Sequence, residues 1–239
     1  MKKLINRLLM ETGYQFKRYP DPYLVRRMKI INQYNIDTLF DIGANAGQYA
    51  SEMRKLGYRK KIISFEPLKS AFKDLKKASS KDINWIINNY ALGNEDTKVI
   101  INVSANSWSS SVLTMLPLHL KNAPGSEYIT GEETQIRKLD SVFNSFYNKG
   151  DSVMLKIDTQ GYEKKVLEGA GEFLRSVRII QLEMSLVPLY ETETLFIEMV
   201  NYLDNKGFQL FSLEDIGISD KTTGQLLEVD GIFVQKNIY

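Results

Sequence analysis

Short apolar runs of five or six residues recur along the chain. Between them lie stretches in which apolar positions return every three or four residues. Runs that short and rich in Ile, Val and Phe predict buried strands, and the periodic stretches predict amphipathic helices. Strands are predicted at 38–42, 61–65, 84–89, 152–157, 177–182, 208–213 and 231–235, with helices near 48–56, 70–78, 163–167 and 194–205. Strands alternating with helices argue for a parallel sheet covered on both faces. Two segments break the alternation. Residues 97–138 alternate like a strand over 99–103 and then become a Ser-rich loop, an insertion between the third and fourth core strands. Residues 214–230 are polar, carry Gly217 and Gly224 and hold no helix, so a long antiparallel hairpin is expected there. The expected fold is α/β and Rossmann-like, with a seven-stranded, mostly parallel sheet and a β-rich insertion. The expected organisation is a main domain over 36–239 preceded by a basic helical extension over 1–35.

Composition adds exclusions. With 43% hydrophobic and 25% charged residues, the chain reads as globular. No apolar run is long enough to cross a bilayer. The absence of cysteine excludes disulfides and thiolate chemistry. Lys2 and Lys3 resemble the start of a signal peptide, but Asn6 and Arg7 interrupt the apolar stretch and no small-residue cleavage site follows. A cytoplasmic location is expected.

Net charge is +2 and uneven. Residues 1–35 hold eight Lys or Arg against two Asp or Glu, a net of +6, which leaves −4 for the rest. A basic head suits an anionic surface or substrate, or is a solvated helix face. Leu4, Ile5, Leu8 and Leu9, with Lys2, Lys3 and Arg7, fit an amphipathic helix. Such a helix lies on a membrane bearing a lipid-linked glycan, packs on its own domain, or packs on another copy in a homo-oligomer. No zinc-finger spacing or RNP-like motif points to nucleic acid.

Three segments carry candidate chemistry. Phe40-Asp41-Ile42-Gly43-Ala44-Asn45-Ala46-Gly47-Gln48 sits where a buried strand turns into a helix. Glycines there let backbone approach a ligand, and ligands gather outside the carboxyl ends of such strands. The spacing Gly43-x-x-x-Gly47 departs from the G-x-G-x-x-G of dinucleotide sites. Asp41 at the strand end suits a cationic ligand such as S-adenosylmethionine. Glu66, in Ser64-Phe65-Glu66-Pro67, ends the second strand about 20 residues past the loop, where an acid accepts from ribose hydroxyls. Asp158, in Leu155-Lys156-Ile157-Asp158-Thr159-Gln160-Gly161, ends a central strand, and an N-cap role is equally compatible with it.

The blocks DIGANAGQ, FEP and LKIDTQGYEKKVLEGA, in this order, resemble the FkbM family of methyltransferases. The similarity continues through Ile180–Glu183 and Val229–Val234, covering about residues 36–236. Asn45 stands where the general class I loop prefers glycine, but DIGAN is the form this family resembles. The resemblance implies a class I methyltransferase fold whose last strand is antiparallel. It also implies O-methylation of a hydroxyl, often on a sugar or a polyketide. By resemblance, Asp41, Gly43, Asn45 and Gly47 would hold the methionine part of S-adenosylmethionine and Glu66 the ribose. The turn from Asn89 to Ala91 would lie near the adenine.

Methyl transfer needs the acceptor oxygen aligned with the methyl group and a group to take its proton. Asp158 is the leading base or metal ligand. Glu183, at the end of the adjacent fifth strand, shares its site as an orienting group or as a second ligand to a divalent cation such as Mg²⁺. Two oxygen ligands specify a metal poorly, so metal dependence stays open. His119 is the chain's single histidine and a further candidate base, though a histidine in an apolar stretch is more often packed. Trp108 with Ser109, Ser110 and Ser111 is a candidate acceptor loop or a plain polar turn. The expected acceptor is a small molecule or glycan, within polysaccharide or glycoconjugate synthesis. The competing readings are a polyketide-type acceptor and a cofactor-binding scaffold without turnover. An NAD-dependent oxidoreductase is disfavoured by the loop spacing.

Overall fold

A computed structural model describes Thr12 and residues 19–215 and 218–236. The amphipathic helix expected at the chain's start lies outside these residues. The first described helix is α1 (Pro22–Gln33), opened by Asp21, whose side chain accepts the Leu24 N–H, and by a proline in its first turn. Next come β1 (Thr38–Ile42), α2 (Gln48–Lys55), β2 (Lys61–Phe65), α3 (Lys69–Ser79) and β3 (Trp85–Asn88). Then follow β4 (Ala91–Leu92), β5 (Thr97–Ser104), α4 (Pro117–Asn122), β6 (Tyr128–Arg137) and α5 (Leu139–Val142). The second half contains β7 (Val153–Ile157), α6 (Glu163–Glu168), β8 (Val177–Ser185), α7 (Phe196–Asn205), β9 (Phe208–Asp215) and β10 (Glu228–Gln235).

Seven strands form one sheet in the order β3-β2-β1-β7-β8-β10-β9. All neighbours are parallel except β10, which is antiparallel to both β8 and β9. This is the sheet the sequence pattern predicts, and the hairpin expected after β9 produces its antiparallel member. The order changes direction at β1, with β2 on one side and β7 on the other. A crevice opens at such a point, outside the carboxyl ends of the strands.

Apolar residues alternate between the two faces. Phe40, Ile63, Leu155 and Ile180 pack on one side with α6 and α7. Leu39, Ile62, Met154 and Ile179 pack on the other with α1, α2 and α3. The insertion forms a second sheet, ordered β4-β6-β5. Its ladder of β5 and β6 is antiparallel.

Two strands run further than the apolar pattern suggests. β8 continues through Glu183 to Ser185, and β10 begins at Glu228 rather than at residue 231. Their ladder pairs Asp230 with Glu183 and Glu228 with Ser185. The acids look like strand ends in the sequence because they are charged, yet they sit inside a paired ladder.

Candidate active site

On the face packed against α1 and α2, strands β7 and β8 change character in step. Met154 and Ile179 are apolar, Lys156 and Gln181 are polar, and Asp158 and Glu183 are acidic. The register places Lys156 between Asp41 of β1 and Gln181 of β8, and Asp41 beside Ser64 of β2. A polar row therefore crosses four strands just below the crevice.

Asp41 is fully buried. Its Oδ2 accepts the Ser64 hydroxyl at 3.1 Å, and Ser64 Oγ in turn accepts the Trp85 indole N–H at 2.9 Å. Its Oδ1 lies 3.6 Å from Lys156 Nζ. Burial pushes the Asp41 carboxyl up, against the attraction of Lys156. Lys156 Nζ also lies 3.2 Å from Asp158 Oδ2 and 3.4 Å from the Gly43 carbonyl. Burial alone would lower the Lys156 pKa, but Asp158 and Asp41 raise it, so this ammonium stays charged.

The crevice is a single cavity of about 1110 Å³. That exceeds the roughly 300–1,000 Å³ typical of one small-molecule pocket. At one end lie the turn after β1 and Glu66. At the other lie Asp158, Glu183 and the start of β10. The Ser-rich loop with Trp108, together with His119 of α4, forms a side wall.

The glycines of the first turn answer to the protein itself. Gly43 has φ +76, and a β-carbon there would come 1.7 Å from the Asp158 carbonyl oxygen. Gly47 has φ +84, and a β-carbon would come 2.9 Å from Leu75 and Trp85. Asn45 is held at φ 47. Its N–H donates to Glu66 Oε2 at 2.8 Å, and its side-chain amide donates to Ser107. Asn45 thereby ties the first turn to both the second strand end and the Trp108 loop.

Glu66 is buried, and its Oε1 accepts the Leu68 N–H at 2.8 Å. Burial pushes its carboxyl up to about 7, against those two N–H donors. Each oxygen keeps a lone pair free for a ligand hydroxyl. Asn89 does not line the cavity. It donates to the carbonyls of Glu66 and Pro67 and so fixes the turn that carries Glu66.

Asp158 and Glu183 come together as expected, with Gln160 between them. Gln160 Nε2 donates to Asp158 Oδ1 at 3.0 Å and to Glu183 Oε2 at 2.9 Å, and its Oε1 accepts the Tyr190 hydroxyl at 2.8 Å. Gln160 adopts φ 55. Burial would raise the Asp158 carboxyl, but Lys156 and the hydrogen bonds around it hold it below the usual carboxylate range. Glu183 is pushed well above that range by burial and then by Asp158, Glu228 and Asp230. The two carboxyls are thus pushed in opposite directions, Asp158 toward the ionised form and Glu183 toward the protonated one, as like charges at close quarters require.

The donor set does not fit a divalent cation. The amide nitrogen of Gln160 occupies the position where a shared metal would sit. Among the described residues no group of three or more His, Asp or Glu side chains is placed to hold a metal.

His119 is 5% exposed, and its ring lies 5.1 Å from that of Tyr190. Its Nε2 has no hydrogen-bond partner, and burial lowers its pKa. Lys156, Gln160, Tyr190, Glu228 and Asp230 belong to the site without standing out in the sequence. The period-two pattern Met154, Lys156, Asp158 was the available signal for the first.

Comparison with known proteins fits this architecture. The model of the methyltransferase FkbM domain matches residues 41–210. A methyltransferase FkbM structure from Methylobacillus flagellatus KT is 13% identical with a TM-score of 0.49, covering 82% of this chain and 44% of its own. This chain thus spans less than half the length of that protein. An uncharacterised protein from Listeria monocytogenes serotype 4b is 8% identical with a TM-score of 0.50, covering 91% of this chain and 68% of its own. A precorrin-6y C5,15-methyltransferase from Geobacter metallireducens is 12% identical with a TM-score of 0.45, covering 94% and 95%. No curated protein sequence matches significantly. No helix among the described residues is long and apolar enough to cross a membrane. With 41–210 matched by the family model, on a seven-stranded class I methyltransferase sheet, the chain belongs to the FkbM methyltransferase family.

Proposed function

We propose that this chain is an S-adenosylmethionine-dependent O-methyltransferase whose acceptor is a sugar hydroxyl. One observation carries the reading: a single cavity of about 1110 Å³ joins the Gly43–Gly47 turn and Glu66 to Asp158, whose carboxyl is held below the usual carboxylate range. The cofactor end fits its ligand. Glu66 has free lone pairs beside the turn, and Gly43 and Asn45 bring backbone to the cavity wall, while Gly47 does not line the cavity and turns toward Leu75 and Trp85 instead. Bound there, S-adenosylmethionine supplies an electrophilic methyl group. The expected direct role of Asp41 changes, since its side chain does not line the cavity and instead holds Lys156 in place.

The acceptor end would work through the chain's own groups. Trp108, 68% exposed beside the cavity, offers an apolar face of the kind sugar rings stack on. Asp158 takes the proton of the acceptor hydroxyl. A carboxylate is a far weaker base than an alkoxide, so it accepts the proton late, as the oxygen gains positive character. Gln160 and protonated Glu183 hold Asp158 in place, and Lys156 keeps it ionised. No step needs a metal.

Calorimetric titration with S-adenosylhomocysteine tests the cofactor half. Binding to the folded chain is expected, and its absence would overturn the reading. Transfer of a labelled methyl group to hydroxylated sugars tests the other half.

A further inference from the structure

Four carboxyl groups, from Asp158, Glu183, Glu228 and Asp230, line the end of the cavity away from the first turn. Asp158 follows β7 directly, and the others stand on the adjacent strands β8 and β10. Their charge is poorly balanced. Lys156 faces them but is shared between Asp158 and Asp41. Arg27 lies 3.9 Å from Asp230 and is bonded to Glu214 at 2.6 Å. Lys55 and Lys221, the other lysines of the lining, are exposed. The cofactor site does not account for all four acids, because β10 lies two strands beyond β7 and three from β1, which carries the Gly43 turn.

His119 supplies an independent observation. It lines the same cavity, is 95% buried, and leaves Nε2 without a partner. A buried polar atom left unpaired is costly, and such atoms are normally satisfied. Burial favours the neutral imidazole, and with the proton on Nδ1 its Nε2 is a hydrogen-bond acceptor. Tyr190 links the two features, since it packs on His119 and its hydroxyl donates to Gln160, the bridge between Asp158 and Glu183. An excess of carboxyl groups and an unfilled acceptor both call for a ligand rich in N–H donors and positively charged.

We propose that the acceptor is an amino sugar, its ammonium held by Glu183, Glu228 and Asp230 and a further donor of the same ligand meeting His119 Nε2. The proposal rests on the methyl-transfer reading of this site and names its substrate class. A neutral sugar leaves the cluster holding the protons that relieve its repulsion, and an anionic one adds to the repulsion. An ammonium removes it and draws protons off the cluster. Glu228, pushed up to about 8 by burial and by Asp158, is the group that releases one near neutral pH.

Titration calorimetry of the full chain, saturated with S-adenosylhomocysteine, separates these cases. The probes are D-glucosamine, N-acetyl-D-glucosamine and D-glucuronate, each in two buffers of different ionisation enthalpy. D-glucosamine should bind at least about tenfold more tightly than the other two, the scale of one retained charge contact. Its binding alone should release protons. Glu228→Gln should abolish most of that preference and the proton release, while keeping the affinity for S-adenosylhomocysteine. If Glu228→Gln does not bind S-adenosylhomocysteine, Asp230→Asn replaces it. Equal or weaker binding of D-glucosamine, or none to a chain that binds S-adenosylhomocysteine, overturns the proposal. So does an amine preference that survives the substitution. Failure of S-adenosylhomocysteine to bind would strike the methyl-transfer reading instead.

Discussion

A β-carbon on Gly43 would come 1.7 Å from the carbonyl oxygen of Asp158. The turn after β1 and the end of β7 are thus in backbone contact, and the Asp158 N–H donates to the Ile42 carbonyl at 3.0 Å from the same place. The cofactor turn and the proposed base are parts of one rigid junction. Gly43→Ala should therefore damage the fold before it damages binding. Strain from the positive φ costs about 1–3 kcal/mol, and the backbone collision adds to it. Urea unfolding measures the loss, and a variant as stable as the parent would show that the junction can open.

Glu66→Ala removes the acceptor of two backbone N–H groups, those of Asn45 and Leu68, as well as the expected partner of the ribose. S-adenosylhomocysteine should bind more weakly by about 1–3 kcal/mol, the cost of lost charge-assisted bonds. Glu66→Gln keeps one oxygen and should recover part of the affinity. Calorimetry on both variants checks the order, and unchanged affinity in Glu66→Ala would take Glu66 out of the cofactor site.

Asp158→Asn preserves shape and removes the proton acceptor. Turnover should fall by roughly 10²–10⁴, the range for a positioned acid or base. Binding of S-adenosylhomocysteine should change little by comparison. EDTA should leave the parent's activity intact, because Gln160 occupies the place between the two carboxyls. Activity lost with EDTA and restored by Mg²⁺ would reinstate the metal alternative. Near-parental turnover by Asp158→Asn would leave His119 or Glu183 as the base.

Stability should fall as pH rises from about 5 to 8. Glu66 and Glu163 are pushed up to about 7 and Glu228 to about 8, all mainly by burial. A carboxyl whose folded pKa exceeds its unfolded one binds its proton more tightly when folded. Its stabilising contribution is complete below the unfolded value of 4.5 and is lost as pH passes through the folded value. His119, kept neutral by burial, gives an opposite slope as pH passes its unfolded value of 6.5, but it is one group against three. Urea unfolding at several pH values measures the slope, and Glu228→Gln should flatten its upper part. A slope that rises with pH would refute this assignment.

The sheet was legible because its strands are short apolar runs separated by helices, and the position of the first turn was legible from its glycines. The reason for those glycines was not. They answer to Asp158, Leu75 and Trp85, residues far along the chain that meet the turn only after the sheet forms. The partner of Asp41 was hidden for the same reason, since Lys156 reaches it through strand register. Gln160 carried no signal as an amide in a turn, and its role comes from two carboxyls that the fold delivers from different strands. Strand β6, with the sequence YITGEETQIR, lacks a continuous apolar run because much of it faces solvent and it pairs in the smaller sheet.

The salt bridge between Arg27 and Glu214 alters the meaning of the basic head. Arg27 is buried against β9, and Arg26 donates to Ser212 on the same strand at 2.6 Å. Two of the eight cations in the first 35 residues are thus fastened to the edge of the sheet. The contrast between a basic front and an acidic remainder is partly cancelled inside the fold. An attraction of the head to an anionic surface would therefore draw on Lys2, Lys3, Arg7, Lys17, Arg18 and the exposed Arg26 and Lys29, and not on Arg27.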